Sequence, residues 1–208
     1  MRPEIPPLTL ARDQLGPDLD RRQLARATTA GRNIRVARGA YLPVDVWSGL
    51  ETEDRYLTLI AAITSTARNK PLYSHESAVA LWGLPSMGQW PVEVHVTVAP
   101  SLGTRSRNRV IRHAAVVPDE DVVDCGTYYL TSLARTILDI AATSPFMHAV
   151  VMTDRALLVD RYHRADPMLT REQLESAWGT CAATASALAN TRSPVICRNA
   201  RRITPGVG

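Results

Sequence analysis

Arginine is the residue type whose number and spacing point most directly to a chemistry. The chain has 208 residues and 24 basic side chains, and Lys70 is the only lysine, so arginine supplies the rest. A GC-rich genome encodes Arg in preference to Lys, which accounts for the excess but predicts an even scatter. The scatter is uneven. Arg21 to Arg38, Arg105 to His113 and Arg192 to Arg202 are basic with few or no acids, whereas acids gather in Asp119-Glu-Asp-Val-Val-Asp124. Segregated positive charge on a chain of formal net charge +4 is the electrostatic footprint of a polyanionic partner. The candidate contacts in the first stretch are Arg21, Arg22, Arg26, Arg32, Arg35 and Arg38. The guanidinium fork pairs bidentately with guanine edges and grips phosphate oxygens.

Other clusters promise less. In Ser74-His-Glu-Ser77, serine, histidine and glutamate lie in a row, but neighbouring positions on a helix point in different directions, so adjacency does not make a catalytic triad. Ser74 is expected to cap a helix, with the histidine and glutamate meeting local backbone or bridging to β structure. His75, His95 and His113 could cluster, yet their spacing is not that of a metal site. Arg135 and Asp139, at i,i+4, read as a structural pair, and the acidic run 119–124 as a solvated turn. Neither a Gly-x-Gly-x-x-Gly nor a Gly-x-x-x-x-Gly-Lys loop occurs, so no nucleotide phosphate cradle is expected. The expectation is no catalytic residue, no metal and no cofactor. Cys125, Cys181 and Cys197 are odd in number and widely spaced, which argues against a disulfide framework or a zinc site. With no long apolar run and no apolar stretch behind Met1, neither a membrane partner nor a secretory signal is expected, and the expected compartment is the cytoplasm.

The elements that must position these residues follow from periodicity and end signals. A short helix is predicted over Thr9 to Leu15, with Thr9 as N-cap and Gly16-Pro17 as stop. A second is predicted from Asp20 as N-cap to about Ala30, with Gln23 completing a capping box, Leu19 and Leu24 a hydrophobic staple, and Gly31 ending it. Ile34 to Ala37 and Ala40 to Leu42 around Arg38-Gly39 predict a hairpin. A basic helix followed by a basic hairpin is the layout of a winged helix-turn-helix. Its helix fits the major groove and its hairpin tip reaches the adjoining backbone. Helices are predicted over Glu51–Arg68, with Tyr56, Leu59, Ile60, Ile63 and Ala67 at three- and four-residue spacing, over His75–Trp82, and from Ser132 as cap to about Ala142. Two more are predicted from Pro145 to about Val159 and over 171–178 behind a Thr170–Gln173 capping box, with strands over Val92–Val98, Val110–Val117 and Thr127–Leu130. The fold class expected is α+β: a winged helix-turn-helix over 1–45, a larger mixed α/β domain over 46–190, and a basic tail over 191–208. A boundary just after Pro43 predicts that a chain beginning near Trp47 folds without the residues before it.

Residues 9–42 resemble the N-terminal domain of the AbiEi-family antitoxins of type IV toxin–antitoxin systems, in Leu24-Ala-Arg-Ala, Gly31-Arg and Ile34-Arg-Val-Ala-Arg-Gly-Ala-Tyr-Leu42. The resemblance, in the pattern of mycobacterial members, continues to about residue 178 through Tyr73 to Leu84, Val94-His-Val-Thr-Val98 and Thr131 to Ala141. Two departures stand out. Proline-rich residues 1–7 occupy the place of a helix ahead of the turn, and the chain has no room for the nuclease domain that follows in many actinobacterial relatives. The resemblance implies a cognate nucleotidyltransferase-family toxin as partner, and repression of the operon's promoter through inverted repeats. In that reading Arg21, Arg22 and Arg26 face the major groove while Arg35 and Arg38 serve the wing. It also brings an alternative, an atypical serine protein kinase that inactivates the toxin by phosphorylating it with ATP and Mg²⁺. A stand-alone transcription regulator is a third reading. The toxin-facing surface is not placed by any motif.

Overall fold

The computed structural model describes residues 5–13, 21–159 and 166–189, with the side chains of Arg21 and of residues 182–189 left out. The predicted Asp20 cap, the Leu19 side of its staple and the basic tail 191–208 lie outside the described residues. The chain divides into two compact units, one ending at Thr131 and the other beginning at Ser132.

The first unit opens with β1 (Thr9–Leu10), where the sequence predicts a helix. Pro6 and Pro7 restrict the chain to extended backbone, and Thr9 and Leu10 then pair antiparallel with Tyr41 and Ala40. Tertiary pairing overrides the local capping signal. α1 (Arg21–Thr29) follows. It ends where Gly31, at φ +68°, lets the amide of Arg32 turn back onto the Ala27 carbonyl at 2.9 Å. β2 (Asn33–Ala37) and β3 (Ala40–Pro43) form the predicted hairpin, with Gly39 at φ +84° in its two-residue turn. The three strands lie in the order β1-β3-β2.

The residues directly after Pro43 form a short helix, α2 (Val44–Gly49). α3 (Thr52–Thr66) buries Tyr56, Leu59, Ile60 and Ile63, the three- and four-residue stripe of the sequence. β4 (Leu72–Tyr73), α4 (His75–Trp82), β5 (Val94–Val98), β6 (Val110–Ala114), β7 (Val122–Asp124) and β8 (Tyr129–Thr131) complete the unit. The five strands make one mixed sheet, ordered β6-β5-β4-β8-β7. The acidic run is a solvated turn only in its first half, and its second half is a strand. A single 3₁₀ turn at Asp119–Asp121 leads into β7, and Val122, Val123 and Asp124 pair antiparallel with β8.

Val36, Ala37, Ala40 and Leu42 of the hairpin share one buried cluster with Tyr56, Leu59, Ile60, Tyr73, Val94, Val96 and Leu130. The predicted boundary at 45/46 runs through that cluster, inside the compact unit that ends at Thr131. Each Val or Leu in it is worth about 1.5–3 kcal/mol of burial.

The second unit comprises α5 (Leu133–Thr143), α6 (Phe146–Leu157) and α7 (Arg171–Ala189). Its end signals read true. The Arg135 amide donates to Ser132 Oγ at 3.2 Å, and Thr170 and Gln173 make the reciprocal bonds of a capping box at 2.8 and 3.2 Å. The Arg135–Asp139 pair is present at 2.8 Å, largely buried. α7 runs past the predicted 178 because its alanine-rich continuation favours helix despite a weak apolar pattern.

Candidate functional site

Arg22 and Arg26 lie one turn apart on α1, and both are exposed. Arg21 opens the helix, with its side chain outside the described set. Arg32 is exposed in the turn after α1, Arg35 on β2 and Arg38 in the hairpin turn. No acid occurs between Arg21 and Val44, so the formal charge of that stretch is wholly positive.

The structure adds a link that the sequence does not announce. Arg109 donates from its guanidinium to the Val36 carbonyl at 3.1 Å and, through Nε, to the Val92 carbonyl at 2.9 Å. This anchors the second basic stretch to the hairpin. Asn108 and Arg109 both have positive φ, +54° and +63°, a conformation that is strained for non-glycine residues and held here by the anchor. Arg105, Arg107 and Arg112 stand exposed around it. Residues 94–118 contain no acid, a compositional signal that the sequence does carry.

A second constellation gathers on α4, β5 and β6. Ser74 occupies the cap position, but its hydroxyl lies 2.9 Å from His75 Nδ1 instead of on a helix amide, which corrects the expected capping role. His75 begins α4 at φ +50°, a left-handed conformation that costs about 1–2 kcal/mol in a residue with a Cβ. The His113 ring stacks on it, centroids 3.6 Å apart. His95 Nδ1 is 3.0 Å from His113 Nε2 and 3.1 Å from Glu76 Oε2. Ser77 Oγ accepts from the His95 amide at 2.8 Å and is 2.8 Å from the Tyr56 hydroxyl, whose pKa burial raises. Thus Glu76 does bridge to the β section, and the three histidines do cluster. Among the described residues, no group of three or more histidine, cysteine or acidic side chains is arranged to hold a metal ion.

Burial holds His95 below the ordinary imidazole range, against the raising influence of Glu76 and Glu93. Burial also lowers His113, helped by neighbouring His95 and opposed by Glu76. The unfolded rings take up protons near 6.5 and the folded ones only at lower pH. Their contribution to stability is therefore complete above that value and is lost as pH falls through the folded values. Melting temperature should be flat from about pH 8 to about 6.5 and fall below it, with a shallower fall in His113→Gln. A melting temperature that rises on acidification through this range would contradict the assignment.

No protein-family model matches the chain, and no curated protein matches it.

Proposed function

We propose that this chain is an antitoxin of the AbiEi type, which binds the promoter of its own operon and neutralises a nucleotidyltransferase-family toxin. The observation that carries the DNA-binding part is the exposure of Arg22, Arg26, Arg32, Arg35 and Arg38 on a helix and hairpin free of acids. The order strand, helix, hairpin, with the first strand added to the hairpin, supports a winged helix in which α1 reads the groove and the β2–β3 turn is the wing. The Arg109 anchor supports a wider surface, because it ties the basic stretch that carries the exposed Arg105 and Arg107 to the hairpin. The cytoplasm is the compartment in which such a protein meets its promoter. Among the described residues no helix is long and apolar enough to cross a membrane.

The test is a fluorescence-anisotropy titration with duplex DNA from upstream of the reading frame, repeated over a series of salt concentrations. Specific binding whose log affinity falls with log salt at about 0.9 per phosphate neutralised is the expected outcome. No binding, or binding indifferent to salt, would remove the DNA from the reading. The toxin arm is tested by co-expression with the neighbouring toxin reading frame and intact mass measurement. Rescue with unchanged toxin mass supports neutralisation by complex formation, and toxin bearing an added phosphate supports the protein-kinase alternative.

A further inference from the structure

We propose that the contact between His95 and His113 is an acid-released latch, which secures the edge strand β6 to β5 and α4 and opens when His113 takes a proton from solvent. The argument begins with the atoms. His95 Nδ1 and His113 Nε2 lie 3.0 Å apart, so one of the two nitrogens carries the shared N–H and the other stays bare, while Glu76 Oε2 stands 3.1 Å from His95 Nδ1 as its ion-pair neighbour. The closed arrangement thus depends on one nitrogen remaining unprotonated.

The charges around the pair decide what acid does. From α4 come Glu76 and His75; from the start of β5 comes Glu93; from α3 comes the Tyr56 phenol, joined to the site through Ser77. Tyr73 of β4 turns its hydroxyl to Thr64, Arg112 of β6 is exposed, and the 3₁₀ turn Pro100–Leu102 carries no titratable group. Glu76 is the carboxylate in contact with the pair, and its side chain and that of His95 are only 23% and 13% exposed. One imidazolium can be balanced there by one carboxylate. A second, on His113, sets two N–H groups head to head and presses a cation against the stacked His75 ring. Separation into water relieves both.

What the latch holds is the edge of the sheet. β6 has β5 on one side, in a parallel ladder from Val94↔Val110 to Val98↔Ala114, and is the terminal strand on the other. The basic loop 103–109 leads directly into it. Loss of the His113 tether leaves the ladder, with the Arg109 anchor at the head of the strand, to hold the far end of β6, and a short edge strand is the kind of element that opens locally.

Hydrogen exchange of the full chain at about pH 7.5 and about pH 5, corrected for intrinsic exchange rates, reads this directly. Protection over 110–114 should fall on acidification by about tenfold more than protection over α3. His113→Gln should lose that differential. Glu76→Gln, which removes the balancing carboxylate, should move the opening to higher pH. If His113→Gln gives no cooperative melt, His113→Phe keeps a ring on His75 without a titrating group and serves instead. Imidazole ¹⁵N resonances should show His113 Nε2 gaining its proton over the same interval in which exchange increases. Equal loss of protection in β6 and α3, no loss in either, or the same differential in the non-titrating variant would overturn the latch.

Discussion

A chain beginning at Trp47 should show no cooperative thermal transition for the first unit. Truncation there removes Val36, Ala37, Ala40 and Leu42, which are 1%, 6%, 0% and 1% exposed and pack in the cluster that holds Tyr56, Ile60 and Val94. Loss of buried Val and Leu side chains costs about 1.5–3 kcal/mol each, and the apolar faces of α3 and β5 then stand open to water. The Arg109 guanidinium also loses its acceptor on Val36. Against a typical total of about 5–15 kcal/mol, removal of several such groups is decisive. Circular dichroism melts of the truncated and full-length chains are the measurement, with Leu42→Ala as a milder companion expected to cost about 2–5 kcal/mol. A truncated chain melting cooperatively near the full-length temperature would mean that the hairpin adds nothing to this core. The shared cluster thus argues against the independent folding of residues 47 onward that the sequence leads one to expect.

The Arg22→Ala, Arg26→Ala double variant should bind promoter DNA weaker by about 2–6 kcal/mol if both side chains read bases. The two positions are one helical turn apart and exposed, which is the spacing at which a single groove would take both in the proposed reading. Neither is part of the buried cluster, and the double variant should therefore melt like the parent. Arg35→Ala and Arg38→Ala, on the hairpin, should weaken binding to all sequences alike and reduce the salt slope by about one each if they touch phosphate. Anisotropy titrations against the promoter and against scrambled duplex separate the two classes. Unchanged affinity in the double variant would take α1 out of the groove, and the hairpin variants would show whether the wing still holds DNA.

The legible parts were those written in short-range chemistry. The Ser132 cap, the Thr170–Gln173 box, the Arg135–Asp139 pair and the apolar stripe of α3 each need residues three or four apart, and all appear as read. β1 and β4, at two residues each, are shorter than any alternation that could reveal them, and Thr9 carried a genuine helix-cap signal that sheet pairing overrode. The basic character of α1 and the hairpin was evident from the absence of acids between Arg21 and Val44. Their link to the second basic stretch was not, since a carbonyl at Val36 has no sequence signature. The histidine cluster fell between these cases. Its members could be named, but β5 and β6 pair in parallel through a loop of eleven residues, 99–109, and only that register brings His113 beside His95.

The order β6-β5-β4-β8-β7 also sets a timetable for synthesis. Its middle strand is the two-residue β4, which must receive Thr97 and Val96 of β5 on one side and Tyr129 and Leu130 of β8 on the other. The second of these partners lies 57 positions further along, so the ribosome must deliver the chain through Thr131 before the sheet can close. Until then α3 has its helical form available but lacks part of the surface that buries it. Closure over such a span is slow compared with docking of the neighbouring helices α5 and α6, joined by only two residues. Until Leu130 emerges the cluster around Leu59, Ile60 and Val94 lacks a member, so the nascent first unit passes through an interval with part of its apolar core incomplete, the kind of state that chaperones for apolar segments act on.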